Sequence, residues 1–74
     1  MESESLIRMA NRIGDFFEAL PDADEGLEGI ATHIRKFWEP RMRRDFLAAV
    51  DGGAPGLSEI VQRAVAKHRA RLLA

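Results

Sequence analysis

Leu27-Glu-Gly-Ile-Ala-Thr-His-Ile-Arg-Lys-Phe-Trp-Glu-Pro-Arg-Met-Arg-Arg-Asp-Phe46 contains the end of one helix, a corner and the start of another. Leu27, Ile30, Ala31, Ile34, Phe37 and Trp38 recur at spacings of three and four, an unbroken apolar stripe from which Glu28, Arg35 and Lys36 are excluded. Pro40 lacks an amide donor and clashes with the preceding turn, so the helix cannot run straight through it, yet proline suits the first position of a new helix. The chain is therefore predicted to bend at Glu39, between helices over about 23–38 and 40–51. On the second of these, Met42, Phe46, Ala49 and Val50 share one side, with Arg41, Arg44, Asp45 and Ala48 largely elsewhere, and Gly52 and Gly53 end it.

Toward the N-terminus, Leu6, Ile7, Met9, Ile13, Phe16, Phe17 and Leu20 follow the same helical spacing and predict a helix over about 4–20 that Pro21 ends. Ser3 or Ser5 can cap it, and Glu2 and Glu4 suit the positive end of its dipole. Asp22, with Glu25 three residues later, has the spacing of a capping box for the helix that follows. Gly14 lies one turn beyond Ala10, which makes either a groove for another backbone or a tolerated surface glycine. Toward the C-terminus, Gly-Gly-Ala-Pro-Gly at 52–56 is a linker signal before a fourth amphipathic helix over about 58–72, built on Leu57, Ile60, Val61, Ala64, Val65, His68 and Leu72 with Ser58 as its cap. That helix either packs on the others or swings out to a partner. With no run of two-residue alternation, the fold class is all-α, a small bundle of three to four helices forming one domain over residues 1–74.

A chain of 74 residues and 8.3 kDa is near the size at which one core is only marginally sufficient. Area scaling gives about 4,600 Å² of folded surface against about 12,000 Å² unfolded, so stability is expected to be borrowed from a partner. There is no Cys, which excludes a disulfide scaffold and a thiolate metal site. The acidic start Met-Glu-Ser-Glu-Ser is unlike a signal peptide and no uncharged run reaches membrane-spanning length, so the expected location is the cytoplasm. The formal net charge of −1 hides segregation: −6 over residues 1–29, +3 over 30–50 and +2 over 51–74. That pattern argues against a general polyanion binder and for a local patch that meets a complementary surface.

The inventory for catalysis is poor. There is no Tyr, no glycine-rich phosphate loop after a strand, and no Ser, His and acid arrangement with motif-like spacing. His33 lies beside one apolar stripe and His68 on another, which fits half-buried rings with satisfied nitrogens better than zinc ligation. Asp22, Asp24, Glu25 and Glu28 lack the ligand order of a calcium loop, and helix capping explains them. Phe16, Phe37 and Phe46 are expected in the core. Phe16 and Phe17 point about 100° apart on a helix, as do Phe37 and Trp38, so the two adjacent pairs imply more apolar face than so small a chain hides.

The residues that stand out for binding are Arg35, Lys36, Trp38, Arg41, Arg43 and Arg44, at the corner. Trp and Arg are enriched where interfaces concentrate their energy, so this corner reads as a protein-docking surface in which Trp38 fills a pocket and the arginines meet carboxylates or helix C-terminal carbonyls. Two other readings use the same residues or faces: a nucleic-acid module, with the arginines on phosphates and Trp38 stacked on a base, and a homodimer that buries the second aromatic face. The acidic first third argues against nucleic acid.

Leu-Ile-Arg-Met-Ala-Asn-Arg-Ile-Gly-Asp-Phe-Phe at 6–17 and Gly-Ile-Ala-Thr-His-Ile-Arg-Lys-Phe-Trp-Glu-Pro-Arg-Met-Arg-Arg at 29–44 together resemble the delta subunit of multisubunit, NAD-dependent, molybdenum-containing formate dehydrogenases. The resemblance spans about Leu6 to Val50, with Phe37 to Arg43 its most specific part. It implies an accessory subunit, itself neither catalytic nor cofactor-bearing. Its expected partner is a large alpha subunit carrying molybdenum bis(pyranopterin guanine dinucleotide) and iron-sulfur clusters, and through it beta and gamma subunits carrying FMN, the NAD site and further clusters. It carries Asn11, Gly14, Phe17, Trp38, Pro40, Arg41 and Arg43 over as subunit-contact or fold-defining positions, and Arg35 and Arg44 join them from the basic corner.

Overall fold

The computed structural model describes residues 2–73 and contains four helices: α1 (Ser3–Glu18), α2 (Ala23–Phe37), α3 (Pro40–Asp51) and α4 (Glu59–Leu73). No strand occurs among the described residues. The accessible surface is 4654 Å² and the radius of gyration 11.0 Å, against about 11 Å for a compact chain of this length.

The punctuation marks act where the sequence places them. Asp22 caps α2, its carboxylate accepting from the Asp24 amide at 2.9 Å and the Glu25 amide at 3.2 Å. Pro40 opens α3 at its first turn after the extended residue Glu39. After Asp51 the chain closes in a Schellman arrangement, with Gly53 at φ 78°, its amide donating to the Val50 carbonyl and the Ala54 amide donating to the Ala49 carbonyl. Two expected caps are absent. The residue preceding α1 is Glu2, which makes no side-chain cap bond, so neither Ser3 nor Ser5 serves. The Ser58 hydroxyl is buried without a hydrogen-bond partner among the described residues.

All four helices feed one core. α1 contributes Leu6, Ile7 and Ala10; α2 contributes Leu27, Ile30, Ala31 and Ile34; α3 contributes Phe46 and Leu47; α4 contributes Val61, Ala64, Val65 and Leu72. Of the two expected dispositions of α4, it packs, and its pairing with α2 is the most extensive in the fold. Gly14 is where α1 admits α4: a Cβ there would stand 2.7 Å from the Val61 Cγ2 methyl, so the groove read from the sequence is filled by the chain's own fourth helix.

The charge segregation also resolves inside the fold. Lys67 pairs with Asp24 at 2.9 Å, Arg69 with Asp51 at 2.9 and 2.5 Å, and Arg71 donates to the Thr32 hydroxyl, so the basic α4 lies against polar groups of α2 and the end of α3. The Lys67 hydrogen bond holds the Asp24 carboxyl below its ordinary pKa, and the Arg69 hydrogen bond does the same for Asp51. These are exposed pairs that orient α4 more than they stabilise it.

Candidate functional site

Trp38 and Arg43, expected to face a partner, are turned into the domain. Trp38 occupies the corner after α2, is 6% exposed, and packs edge-on against Phe46 with ring centroids 5.4 Å apart. Helix geometry gives the reason: 27, 31, 34 and 38 form the stripe turned to the core that α2 shares with α1 and α4, and Phe37 is rotated about 100° off it. Arg43 is 4% exposed. Its guanidinium donates to the Trp38 carbonyl at 2.6 Å and the Arg35 carbonyl at 3.2 Å, and its Nε donates to the Leu72 carbonyl at 3.2 Å. One side chain thus serves backbone acceptors at the end of α2 that lack helical partners and ties them to the last turn of α4. Sequence reasoning set Arg43 among the exposed bases and passed over Leu47. The spacing 43, 46, 47, 50 was the available signal, obscured by the rule that charges stay outside.

Asn11 also works inside the fold. Its Nδ2 donates to the Gly56 carbonyl at 2.8 Å, and its Oδ1 accepts from the Ser58 amide at 2.9 Å. Gly56, at φ 90°, makes the turn that brings both groups to the same amide side chain. The segment that leads into α4 is therefore pinned across the structure to α1. Asn11→Ala is expected to cost about 1–2 kcal/mol, the loss of two hydrogen bonds to the connection before α4, and thermal unfolding followed by circular dichroism will read it as a drop in Tm of several degrees.

Other expected contact residues stay on the surface. Arg35, Arg41 and Arg44 are exposed, as is Pro40. Phe17 is half-buried, its ring lying over Gly29, where a Cβ would collide with it. Because Trp38 is buried, its ring cannot stack on a base, and Arg43→Glu would disrupt the fold as well as any docking.

The exposed aromatic side chains are Phe16, 70% exposed, and Phe37, 68% exposed, both of which the sequence had assigned to the core. Each is the member of its adjacent pair that falls outside the core stripe. Phe16 meets Phe17 edge-to-face with centroids 5.0 Å apart, and Phe37 lies 4.8 Å from the His33 ring. Between them the surface is concave. A groove of about 590 Å³ runs along α2 from Glu25 to Phe37, and a second hollow of about 430 Å³ lies beside α1 at Arg12, Ile13 and Phe16. Phe17 and His33 line both.

His68 departs from expectation in another way. Its backbone leaves the helical region at φ −115°, ψ 24°, and its Nε2 is buried without a hydrogen-bond partner among the described residues. Among the described residues, no group of three or more His, Asp or Glu side chains is placed to hold a metal ion, and no helix is long and apolar enough to cross a membrane. The sequence has no Cys to supply thiolates to an iron-sulfur cluster.

Comparison with known proteins gives one family match: the model of the NADH-dependent formate dehydrogenase delta subunit FdsD covers residues 5–65. No curated protein and no solved structure matches significantly.

Proposed function

Because the chain belongs to the NADH-dependent formate dehydrogenase delta subunit family, we propose that it is a non-catalytic accessory subunit that binds the large molybdenum-containing subunit and supports assembly or stability of the complex in the cytoplasm. The family match over residues 5–65 carries this reading. It is supported by the surface: a chain with a closed core still exposes two phenylalanine rings beside a groove, in the manner of a subunit whose contacts lie elsewhere.

In this proposal the reaction belongs to the partner subunits, which carry the molybdenum cofactor, the iron-sulfur clusters and FMN, and this chain contributes binding. A protein that binds only the folded, loaded form of its partner stabilises that form by mass action, about 2.7 kcal/mol when its concentration is a hundredfold above Kd. Arg35, Lys36, Arg41 and Arg44 are the bases of the corner that lie exposed to meet carboxylates of the partner.

The test is to produce the dehydrogenase with and without this chain and to follow formate-dependent NAD reduction, molybdenum content and the half-life of activity. Omission is expected to lower the yield of molybdenum-loaded enzyme and shorten its half-life severalfold while leaving turnover per loaded molecule unchanged. Equal yield and half-life without the chain would remove the accessory role.

A further inference from the structure

The groove between α1 and the outer side of α2 has a direction. Glu25 and Glu28 line one end and Lys36 the other, about two to three helical turns or roughly 12–16 Å apart along α2. α1 runs back along α2, setting Phe17 beside Gly26 and Gly29, and Arg12 at the hollow lined by His33. Arg12 and Lys36 therefore share the basic end, and Glu25 and Glu28 the acidic end. None of these four makes an ion pair among the described residues, in contrast to Lys67 and Arg69, which do. Phe16 and Phe37 stand exposed beside this groove.

We propose that this groove seats one amphipathic helix of a partner dehydrogenase subunit. Apolar side chains of that helix cover Phe16 and Phe37, its basic residues face Glu25 and Glu28, and its acidic residues face Arg12 and Lys36. The inference rests on the accessory-subunit reading and adds to it the face used and the chemistry of what binds there. Shape and area favour a helix over a second copy of the chain. A two-fold pairing would set groove against groove and leave a void between them. The exposed area of Phe16, Phe37 and Leu20 is on the order of 300 Å², well short of the roughly 800 Å² per partner of a stable dimer. A helix laid in a groove is instead anchored by side chains three and four apart, at the spacing His33 and Phe37 present. The acidic rim of Glu25 and Glu28 would repel a phosphate backbone.

The experiment is affinity capture of the tagged chain co-expressed with the other dehydrogenase subunits, comparing wild type with Phe16→Ser/Phe37→Ser and with Glu25→Lys/Glu28→Lys. Both pairs are exposed, so helicity and Tm of the isolated chain serve as controls expected to hold. Capture by the serine variant is expected to fall at least about tenfold, the loss that follows removal of a hot-spot aromatic. The lysine variant is expected to weaken capture as well. A photo-crosslinking phenylalanine analogue at position 37 is expected to label a single helical segment bearing both charges. Undiminished capture by the serine variant would overturn the groove while leaving the accessory role standing, whereas no capture by wild type would overturn the role itself. A wild-type chain that elutes as a dimer, and as a monomer after Phe16→Ser/Phe37→Ser, would give the face to a second copy and overturn the proposal. Labelling confined to a non-helical segment would overturn it too.

Discussion

Replacement of Trp38 by Ala is expected to remove a large share, about a third or more, of the stability of the isolated chain. Truncating a buried Trp removes its transfer free energy and leaves a cavity, about 3–5 kcal/mol together, against a total stability of roughly 4–11 kcal/mol for a chain of this length. The site cannot collapse readily, because Trp38 is wedged at the corner between α2 and α3 with Phe46 edge-on against it. Urea unfolding by circular dichroism will show the midpoint falling with little change in slope. A phenylalanine at 38 should recover part of the loss by filling part of the space. A Trp38→Ala variant as stable as wild type, but unable to bind the dehydrogenase, would instead return Trp38 to the interface.

Arg43→Met should cost about 3 kcal/mol, although it exchanges a buried charge for an apolar side chain of similar reach. Such exchanges are often neutral or stabilising when both partners of an ion pair are replaced. Here its acceptors include the backbone carbonyls of Arg35, Trp38 and Leu72, which remain after the substitution and lose their donor. Unmet buried acceptors cost about 1–3 kcal/mol each where water cannot reach them. The consequence extends to α4, whose last turn is held through the Leu72 carbonyl, so amides near residues 69–72 should exchange faster in the variant. Arg43→Lys should fall between the two, because an ammonium is a point charge without the planar fork that reaches three carbonyls. Melting temperatures in the order Arg, Lys, Met would support this account; equal values for Arg and Met would show that desolvating the guanidinium cancels its bonds.

The helix boundaries were legible because backbone chemistry marks them locally. Pro40, Asp22 and the Gly52-Gly53 pair each impose a conformation or supply a bond within a few residues of themselves. The choice within each aromatic pair was not legible, since adjacent residues differ by about 100° around a helix and either can be drawn onto a stripe until the neighbouring helices are placed. That ambiguity exchanged Phe37 with Trp38 and put Phe16 on the wrong side. Arg43 and Asn11 were hidden for a different reason. Both act on backbone groups 29 to 47 positions away, at Leu72, Gly56 and Ser58, and no local pattern announces such bonds. In the structure both side chains bond to backbone groups of distant segments.

The dependence of α2 on α4 for its cover bears on how the chain is made. While residues up to Asp51 have left the ribosome and α4 has not, the side chains that will become the core have no lid, and Asn11 and Arg43 have no acceptor at 56 or 72. At 5–20 residues per second this interval lasts about one to four seconds, during which the nascent chain presents a sticky, unfinished surface suited to a chaperone. Closure waits until Leu72 clears the exit tunnel, so the finished surface exists only once α4 has emerged whole.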